Sequence, residues 1–377
     1  MDERGLPAED VRKLLSQAQS KDLSYSGGRI LGSMCTSPHS LGREVFTQFL
    51  ETNLGDAGLF EGTKGLESEA VEMIAGLLGL AGTSGLLTTG GTEANILALW
   101  AARNKGRGKK VVAPETVHFS VDKACNLLGL RLVKTAVDSR KCADLGELES
   151  RIDHDTCAVV GVAGTTEYGT VDDITGLAKI ALEKELYLHV DAAFGGFVLP
   201  FLQELGYPVH FEIPASGVDS ITLDPHKMGL VPIPCGCIIF TDPETQGFIE
   251  TEAPYLTLKR QHTVVGTRSG AAAAAAYAVF KHLGREGYRG VVKQCMENTI
   301  KLYRGVVKLG LAVRTPTINV LAIDCGPEVY DALGKMGWRL SQTREGEMRI
   351  IVMPHVSEKV VREFLRDLES VAGDFHV

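Results

Sequence analysis

The sequence lacks the features that mark secreted, membrane-spanning or nucleic-acid-binding proteins. Its first residues, MDERGLPAEDVRKLL, are acidic and amphipathic, whereas a secretory signal needs a basic start and an apolar core. The most apolar-looking run, Gly270–Phe280, is an alanine tract that ends at Lys281 and is too short to cross a bilayer. The net charge of -8 argues against a general polyanion-binding role, because phosphate backbones attract concentrated Lys and Arg. We therefore expect a cytoplasmic protein without membrane or nucleic-acid partners.

The cysteines lack the spacings of metal ligands. None of the eight lies in a CxxC pair, and no spacing is typical of zinc ligands. They are Cys35, Cys125, Cys142, Cys157, Cys235, Cys237, Cys295 and Cys325. Such thiols are expected to stay reduced in a cytoplasm. We predict neither disulfides nor a metal site.

The chain is long enough for two domains, and its pattern indicates an α/β protein. At 377 residues it exceeds one ordinary core, and its 44% hydrophobic and 23% charged residues are usual for a globular protein. From about Lys64 to Phe240, apolar helical stretches alternate with short β-branched runs, which is typical of a largely parallel sheet. The predicted strands are Lys110–Ala113, Leu130–Thr135, Ala158–Val162, Leu186–Val190, Ser220–Leu223 and Gly236–Phe240.

After Phe240 the pattern changes to that of an α+β unit. The predicted elements are an irregular polar segment at Thr241–Thr267, the alanine helix, a long helix to about Leu309, strands at Asn319–Asp324 and Met348–Met353, a helix at Glu328–Lys335 and a closing helix from Ser357. We therefore predict a helical arm over residues 1–50, a large α/β domain over 51–265 and a smaller C-terminal α+β domain over 266–377.

The most informative segment is DSITLDPHKMG at Asp219–Gly229. A strand runs into DPHK, which places Lys227 on a loop just past a strand end, where open α/β sheets bind ligands. Lysine forms a Schiff base only when its amine is neutral, which desolvation and nearby cations promote. Taken alone, a lysine after a strand usually lies on the solvated surface.

A second segment is LYLHVDAAFGGF at Leu186–Phe197, in which an apolar strand ends at Asp191. A carboxylate there is able to keep a pyridine nitrogen protonated, and Ala193 leaves a flat space for an aromatic ring. The alternative is that Asp191 merely caps the next turn.

A third segment, LLTTGGTEANILAL at Leu86–Leu99, contains a strand, a glycine-rich turn and a helix that starts near Thr92. Free N–H groups and the positive end of the helix dipole make such a turn a ready phosphate site. Thr92 is able to cap the helix and offer its hydroxyl to the anion. The spacing is neither GxGxxG nor that of a P-loop, and simple helix capping explains the segment as well.

Weaker candidates follow other predicted strands. His118, in PETVHFS, lies where an imidazole could stack on a cofactor ring, although a lone histidine is more often structural. Thr165 and Thr166, in VAGTTEYG, could donate a hydrogen bond to a ring hydroxyl or a neighbouring side chain. Each strand end supplies one polar group, and this convergence is more informative than any single residue.

The order of these motifs resembles that of the fold type I pyridoxal-phosphate enzymes, specifically the group II amino-acid decarboxylases. TTGGTEAN, the isolated His118, HVDAAFGG and DPHK follow one another as in that family. The chain is most similar to the archaeal L-tyrosine/L-aspartate decarboxylases, with which it shares GTRSG and MRIIVMPHV. The resemblance implies a mostly parallel central sheet with helices on both faces, a smaller C-terminal α+β domain, and pyridoxal 5′-phosphate as the cofactor.

The resemblance also implies a role for each motif residue. Lys227 carries the cofactor as a Schiff base, Asp191 pairs with the pyridine nitrogen, and the ring lies between Ala193 and His118. The residues implied to meet the phosphate or the ring substituents are Gly91, Thr92, Thr166 and His226. Thr267 or Ser269, in GTRSG, is implied to reach the cofactor of a partner subunit, which predicts a homodimer with shared active sites.

Roles in substrate binding and proton transfer follow from the same resemblance. Arg349 aligns with an arginine that binds the substrate α-carboxylate in relatives, and Arg268 is the competing candidate. Tyr255, in EAPYLT, resembles a mobile-loop tyrosine that delivers a proton after decarboxylation. Because this loop is shorter than in the animal aromatic enzymes, Tyr255 has an anchoring role as its alternative, and His118 is the other candidate donor. His39 is a candidate for the side-chain pocket, with a structural role as its alternative.

The implied reaction is decarboxylation of L-tyrosine to tyramine or of L-aspartate to β-alanine, serving methanofuran or coenzyme A biosynthesis. Nothing in the sequence distinguishes these substrates from one another or from glutamate. One rival is a carbon–carbon lyase resembling sphingosine-1-phosphate lyase, for which an additional basic cluster is expected. A metal hydrolase with His189, Asp191 and His226 as ligands is a second rival, but it leaves the glycine-rich helix start and Lys227 unexplained. A noncatalytic binding protein is a third, and the complete set of reactive groups argues against it.

Overall fold

The computed structural model describes residue 1 and residues 3–106, 108–214 and 216–375, and its first part is helical. Helix α1 buries none of its residues, and its Leu14 and Leu15 are 53% and 64% exposed. The three helices that precede the first strand are α1 Ala8–Gln19, α2 Ser40–Gln48 and α3 Glu61–Leu77. Short 3-10 helices lie at Tyr25–Gly27, Leu54–Leu59, Gly195–Phe197 and Pro243–Ile249.

A seven-stranded sheet forms the centre of the fold. Its strands are β1 Ser84–Thr88, β2 Lys110–Pro114, β3 Arg131–Thr135, β4 Thr156–Val162, β5 Tyr187–Asp191, β6 Ser220–Leu223 and β7 Gly236–Phe240. They lie in the order β1-β7-β6-β5-β4-β2-β3, with β7 antiparallel to both of its neighbours and the other pairs parallel. The predicted, largely parallel sheet is therefore confirmed, and the ends of its predicted strands shift by at most two residues.

Alternate residues of the strands enter two hydrophobic cores, one on each face of the sheet. Along β4, Ala158 and Val160 belong to one core and Val159 to the other. Strands β2, β4, β5, β6 and β7 are buried along their whole length, as expected of strands covered on both faces. The helices that alternate with these strands along the chain are α4 Gly91–Lys105, α5 Phe119–Leu128, α6 Leu145–Ser150, α7 Ile174–Glu183 and α8 Leu199–Glu204.

The C-terminal part combines one long helix with a small antiparallel sheet. The predicted alanine helix and long helix are two parts of α9 Gly270–Lys308, which is broken at Gly284, where φ is +54°. The remaining elements are β8 Thr251–Glu252, β9 Arg260–Gln261, β10 Ala312–Val313, β11 Val320–Asp324, α10 Gly326–Lys335, β12 Ser341–Gln342, β13 Met348–Ile351 and α11 Glu358–Phe375. The small sheet has the order β10-β11-β13-β12. Within the described residues, no helix is both long and apolar enough to span a membrane.

The predicted site segments meet at one edge of the central sheet. Since β7 opposes both β1 and β6, β1 runs in the same direction as β6 and therefore as β5, β4 and β2. The glycine-rich turn follows β1, His118 follows β2, Thr166 follows β4, Asp191 ends β5 and Lys227 follows β6. This carboxyl-terminal edge is where open α/β sheets bind ligands.

Candidate active site

A cavity of about 330 Å³ opens at the carboxyl-terminal edge of the sheet. The structure brings together eight of the predicted residues in its lining: Gly91, Thr92, His118, Thr166, Asp191, Ala193, His226 and Lys227. The other lining residues are Thr89, Gly90, Glu93, Asn95, Val162, Gly164, Phe194 and Asp224. The convergence that the sequence predicts is therefore present as one cavity.

Asp191 is buried at the end of β5 and its carboxylate is held at both oxygens. Its Oδ1 accepts a hydrogen bond from the backbone N–H of Ala193 at 3.0 Å, and its Oδ2 accepts one from Asn95 Nδ2 at 2.8 Å. The residue is only 5% exposed. Both of these donors are neutral, so the carboxylate keeps its charge available for a cation in the cavity.

A buried chain of hydrogen bonds supports Asp191 from behind. Because a carboxylate only accepts, Asn95 turns Nδ2 towards Asp191, and its Oδ1 accepts from His189 Nε2 at 2.9 Å. His189 Nδ1 then accepts from the Ser220 hydroxyl at 2.8 Å. Burial lowers the pKa of His189 to about 4, so that its ring is neutral at pH 7. This chain fixes the tautomer of His189 and the orientation of Asn95.

The hydrogen bonds of His189 argue against the metal-hydrolase alternative. Both ring nitrogens of His189 are engaged, one with Asn95 and one with Ser220. No group of three or more His, Cys, Asp or Glu side chains suited to a metal ion occurs in the part of the chain that the structure describes. His189, Asp191 and His226 therefore do not form the ligand set of that hypothesis.

Lys227 forms an ion pair within the loop that follows β6. Its Nζ lies 2.9 Å from Asp224 Oδ2, and its side chain is 18% exposed. Burial lowers the pKa of Lys227, but the charges of Asp224 and Asp191 more than offset this effect, and the resulting pKa is raised. In the absence of a ligand, Lys227 is therefore an ammonium group at neutral pH.

His118 precedes α5 and serves as its N-cap. Its Nδ1 accepts from the backbone N–H of Ser120 at 3.3 Å and lies 2.9 Å from the Ser120 hydroxyl. Since Ser120 Oγ accepts from Asn95 Nδ2 at 2.8 Å, the hydroxyl proton points to His118 and the ring proton is on Nε2. Burial lowers the pKa of His118. The cavity wall thus contains a flat, neutral imidazole.

The glycine-rich turn places the first turn of α4 at the cavity. The N-cap is Gly90 and no side chain caps the helix, so the capping role considered for Thr92 is not observed. The first N–H groups of an α-helix have no acceptor within the helix and are free to bind an anion. A Cβ at Gly91 would lie 2.9 Å from Asp224 Oδ2, so glycine makes room there for the carboxylate.

A glycine at the start of β7 allows the glycine-rich turn to lie directly against that strand. A Cβ at Gly236, the first residue of β7, would lie 2.5 Å from Gly90 Cα. Real Cβ atoms essentially never approach a backbone atom so closely, and the backbones of the two residues are therefore in direct contact. The turn after β1 and the start of β7 can adopt this arrangement only with glycine at position 236.

Arg349 is buried on β13 without a carboxylate partner. It is 9% exposed, its Nη1 donates to Ser341 Oγ at 3.0 Å, and its Nε has no partner in the described part of the chain. Burial lowers the pKa of Arg349 to about 10, and the charge of nearby Glu167 opposes that effect. A buried guanidinium with an unused N–H is suited to bind an anionic ligand group.

Arg268, the competing candidate, is differently placed. Its guanidinium forms an ion pair with the buried Glu67 and donates to the Leu87 carbonyl at 3.0 Å. Its hydrogen-bonding capacity is therefore largely used within the protein. Arg349 is therefore the arginine that keeps an unused hydrogen-bond donor for a ligand.

Several other predicted residues do not line the cavity. Thr165 is buried and lies 2.8 Å from Thr170 through the two hydroxyls. Ser269 caps α9, and His39 caps α2 through Nδ1 and contacts the His282 ring at 5.0 Å. Tyr255 is 86% exposed. The lining also excludes Thr267 and Arg349.

The sequence-based prediction assigns no role to four polar residues of the cavity lining, which are Thr89, Glu93, Asn95 and Asp224. Asn95 lies one helical turn after Gly91 and holds Asp191. Glu93 accepts from the N–H and the hydroxyl of Thr89, both at 2.8 Å, and so braces the glycine-rich turn. Asp224 is paired with Lys227. For Asp224 the sequence does contain a signal, since an acid three residues before a lysine at a strand end is able to reach its amine.

The residues at the cavity fit pyridoxal 5′-phosphate. A buried carboxylate suits a protonated ring nitrogen, a lysine amine suits the aldehyde, and the first turn of α4 suits the phosphate. His118 and Ala193 supply flat surfaces for the two faces of a ring. Asp224 Oδ1 is buried without a hydrogen-bond partner in the described residues. Such an unsatisfied buried oxygen is expected at a site where a ligand completes the hydrogen bonding.

Comparisons with known proteins agree with this geometry. Residues 35–312 match the family model described as the pyridoxal-dependent decarboxylase conserved domain. The probable L-tyrosine/L-aspartate decarboxylase of Methanothermobacter thermautotrophicus is 46% identical over 358 residues, covering 93% of this chain and 99% of that protein. The L-aspartate/L-glutamate decarboxylase of Pyrococcus horikoshii is 44% identical over 376 residues, covering 97% and 98%. The solved structure of Burkholderia pseudomallei sphingosine-1-phosphate lyase has a TM-score of 0.91 at 28% identity, covering 99% and 92%.

The resemblance that the motifs indicate is thus confirmed, together with the fold type I architecture. The matched residues include the glycine-rich turn, His118, Asp191 and Lys227. The cofactor of this group of enzymes is pyridoxal 5′-phosphate, and the residues at the cavity suit it. The chain belongs to the pyridoxal-dependent decarboxylase family.

Proposed function

We propose that this enzyme removes the α-carboxylate of L-tyrosine or L-aspartate, which releases CO₂ and leaves tyramine or β-alanine. The observation that carries the proposal is the convergence of Lys227, Asp191 and the first turn of α4 in one cavity. Relatives at 46% and 44% identity are named for tyrosine, aspartate and glutamate. The two amines suit methanofuran and coenzyme A biosynthesis, respectively.

Lys227 is proposed as the residue that binds the cofactor covalently. Its amine is partly accessible from the cavity, since the side chain is 18% exposed. Lys227 would hold the cofactor through its aldehyde, and Asp224 would hold Lys227 whenever its amine is free.

Asp191 is proposed to bind the protonated ring nitrogen. Its two hydrogen bonds, to Ala193 N at 3.0 Å and to Asn95 Nδ2 at 2.8 Å, fix the direction of the carboxylate. When bound, the ring of pyridoxal phosphate accepts the electron pair that loss of CO₂ leaves behind. The negative charge of Asp191 favours the protonated ring that makes this possible.

The remaining cavity residues are proposed to orient the cofactor. Ala193 and His118 contact the two ring faces, and Thr166 contacts a ring substituent. The phosphate is assigned to Gly91 and Thr92 at the first turn of α4, and to His226. A Cβ at Gly90 would lie 3.5 Å from His226 Cε1, so the imidazole is adjacent to the glycine-rich turn.

Arg349 is proposed to bind the substrate carboxylate that is lost. Its Nε is buried and lacks a hydrogen-bond partner within the described residues. A guanidinium that holds this carboxylate would fix the orientation of the substrate about Cα. The placement of the carboxylate would thereby select decarboxylation over other reactions at Cα.

Two residues are proposed as alternative donors of the proton that replaces the carboxylate. His118 lines the cavity and carries its ring proton on Nε2. Tyr255 is 86% exposed, on the segment between β8 and β9, and would have to move to reach the substrate. We also propose His39 as a residue near the substrate side chain.

The assembly is proposed to be a cytoplasmic homodimer with shared active sites. Thr267 and Ser269 are outside the cavity of their own chain, which agrees with a role at the site of the partner. Leu14 and Leu15 of α1 are exposed, as expected of an arm that packs on a second copy. The domain division at residues 1–50, 51–265 and 266–377 stays part of this proposal.

Incubation of the holoenzyme with each amino acid in turn tests the proposed function. We expect CO₂ and the corresponding amine in equal amounts from tyrosine or aspartate, measured by gas analysis and mass spectrometry. Lys227→Ala is the control, because it lacks the amine proposed to bind the cofactor. An enzyme that carries its cofactor and forms no amine from any amino acid would contradict the proposal.

The likeness to sphingosine-1-phosphate lyase, with a TM-score of 0.91, favours a carbon–carbon lyase as the second candidate. The described cavity lining contains no arginine, and no lysine besides Lys227, to bind a phosphate on the substrate. A phosphorylated amino alcohol would release an aldehyde without CO₂. Product analysis with such a substrate distinguishes the two reactions.

A further inference from the structure

Asp224 is a buried carboxylate whose role none of the assignments above explains. Its Oδ2 lies 2.9 Å from Lys227 Nζ, and the residue is 3% exposed. Its Oδ1 has no hydrogen-bond partner in the described residues and lies 3.9 Å from His226 Nδ1. Burial of a carboxylate is unfavourable unless a cation or donors compensate it, and here the compensation is concentrated on Lys227.

The position of Asp224 is fixed by the backbone on both sides. Its N–H donates to the Ala193 carbonyl at 3.1 Å, and its carbonyl accepts from the Lys227 N–H at 2.9 Å. On the other side, the missing side chain of Gly91 leaves space for Oδ2, since a Cβ there would approach it to 2.9 Å. Asp224 is therefore held between the glycine-rich turn and the amine.

The other titratable groups around Lys227 are less suited than Asp224 to accept a proton from it. Those that face it are Asp224 and His226 from its own loop, Asp191 from the end of β5, His118 from the loop after β2, and Cys35 from the segment before α2. Both oxygens of Asp191 accept hydrogen bonds, and burial raises the pKa of the Cys35 thiol, which keeps it protonated. Asp224 is left as the acceptor in direct contact with Nζ.

We propose that Asp224 is a positioning residue that holds Lys227 as an ammonium until the cofactor aldehyde arrives, and then takes one proton from it. The inference rests on the proposed role of Lys227. As the carbon–nitrogen bond forms, Nζ gives one proton to Asp224 and a second to the carbonyl oxygen. The carbon–oxygen bond then breaks, and the proton on Asp224 leaves with that oxygen as water. The third hydrogen stays on nitrogen, and the positive charge stays with it.

The test is the ionisation of Lys227 in the full-length enzyme after removal of the cofactor. Trace labelling with acetic anhydride across a pH series reports the free amine, and mass spectrometry identifies the Lys227 peptide. Loss of the adjacent negative charge in Asp224→Asn should lower the apparent pKa of Lys227 by one unit or more, which is about tenfold more free amine at a given pH below it. Asp224→Glu should restore most of the wild-type titration.

The rate of cofactor capture is the second measurement. It is followed by the growth of absorbance at about 420 nm after pyridoxal phosphate is added. In Asp224→Asn, cofactor capture should stay fast at lower pH than in the wild type, because more of the Lys227 amine is free there. Its highest rate should fall below that of the wild type, because no proton returns to the leaving oxygen. Asp219→Asn is the matched control, since Asp219 lies at the other end of β6 and pairs with Lys105 at 2.6 Å.

Identical Lys227 titrations for wild type and Asp224→Asn would overturn the proposal. If Asp224→Asn fails to fold, Asp224→Ser removes the same charge and takes its place. A shifted titration without any absorbance change in the wild type would instead contradict the role of Lys227, so the two failures are distinguishable.

Discussion

Replacement of Asn95 by alanine tests whether the hydrogen-bond chain behind Asp191 contributes to the rate. Asn95 Nδ2 donates to Asp191 Oδ2 at 2.8 Å, and Oδ1 accepts from His189 Nε2 at 2.9 Å. A hydrogen bond to a charged group contributes about 1.5–3 kcal/mol. If Asp191 loses that much of its hold on the ring nitrogen in the transition state, kcat falls about 10- to 150-fold. Cofactor binding is expected to persist, because Lys227 and the first turn of α4 are unchanged.

A matched control separates this effect from a loss of stability. Asn298 is also buried, on α9, and donates through Nδ2 to the Val356 carbonyl at 2.9 Å. Asn298→Ala should lower Tm in the same way as Asn95→Ala, since each substitution removes a buried hydrogen bond. Only Asn95→Ala should lower kcat of the cofactor-loaded enzyme. A normal kcat in Asn95→Ala, together with a lowered Tm, would refute the argument that Asn95 holds Asp191.

Four further substitutions test the proposed roles. Lys227→Ala should lose both turnover and the absorbance band at about 420 nm, and a retained band would contradict covalent attachment there. Asp191→Ala should bind cofactor, measured by equilibrium dialysis, but lose nearly all kcat. Arg349→Gln should raise KM and lower kcat, since the carboxylate loses its partner; unchanged kinetics would point to Arg268. Tyr255→Phe should slow protonation or give oxidative side products, and unchanged products would leave His118 as donor.

The central sheet could be predicted from the sequence because its strands are buried on both faces. Such strands are continuous apolar runs, and the bounds of β6 and β7 agree with the prediction. The prediction for β4 began two residues late. Its first residue, Thr156, is polar in the sequence, yet its hydroxyl bonds to Asp153 and the residue is buried.

The cavity residues could be predicted where a motif places them at a strand end, as for Asp191 and Lys227. Their supporting contacts could not, because they join elements that are distant in sequence. Asn95 is 96 residues from Asp191 and lies on a helix, so its contact depends on how α4 crosses the sheet. The division of α9 at Gly284 agrees with the predicted alanine helix and following long helix, although the sequence does not give the position of the break.

The contact between Gly90 and Gly236 limits how this enzyme can be altered. A side chain at position 236 would displace the turn proposed to bind phosphate, although Gly236 begins β7 and Gly90 lies in the turn after β1. Exchange of the glycine-rich turn for that of a relative should therefore succeed only if position 236 keeps its glycine. Surveys of tolerated substitutions should find glycine kept at position 236, because its Cβ would meet backbone atoms that every residue at position 90 has.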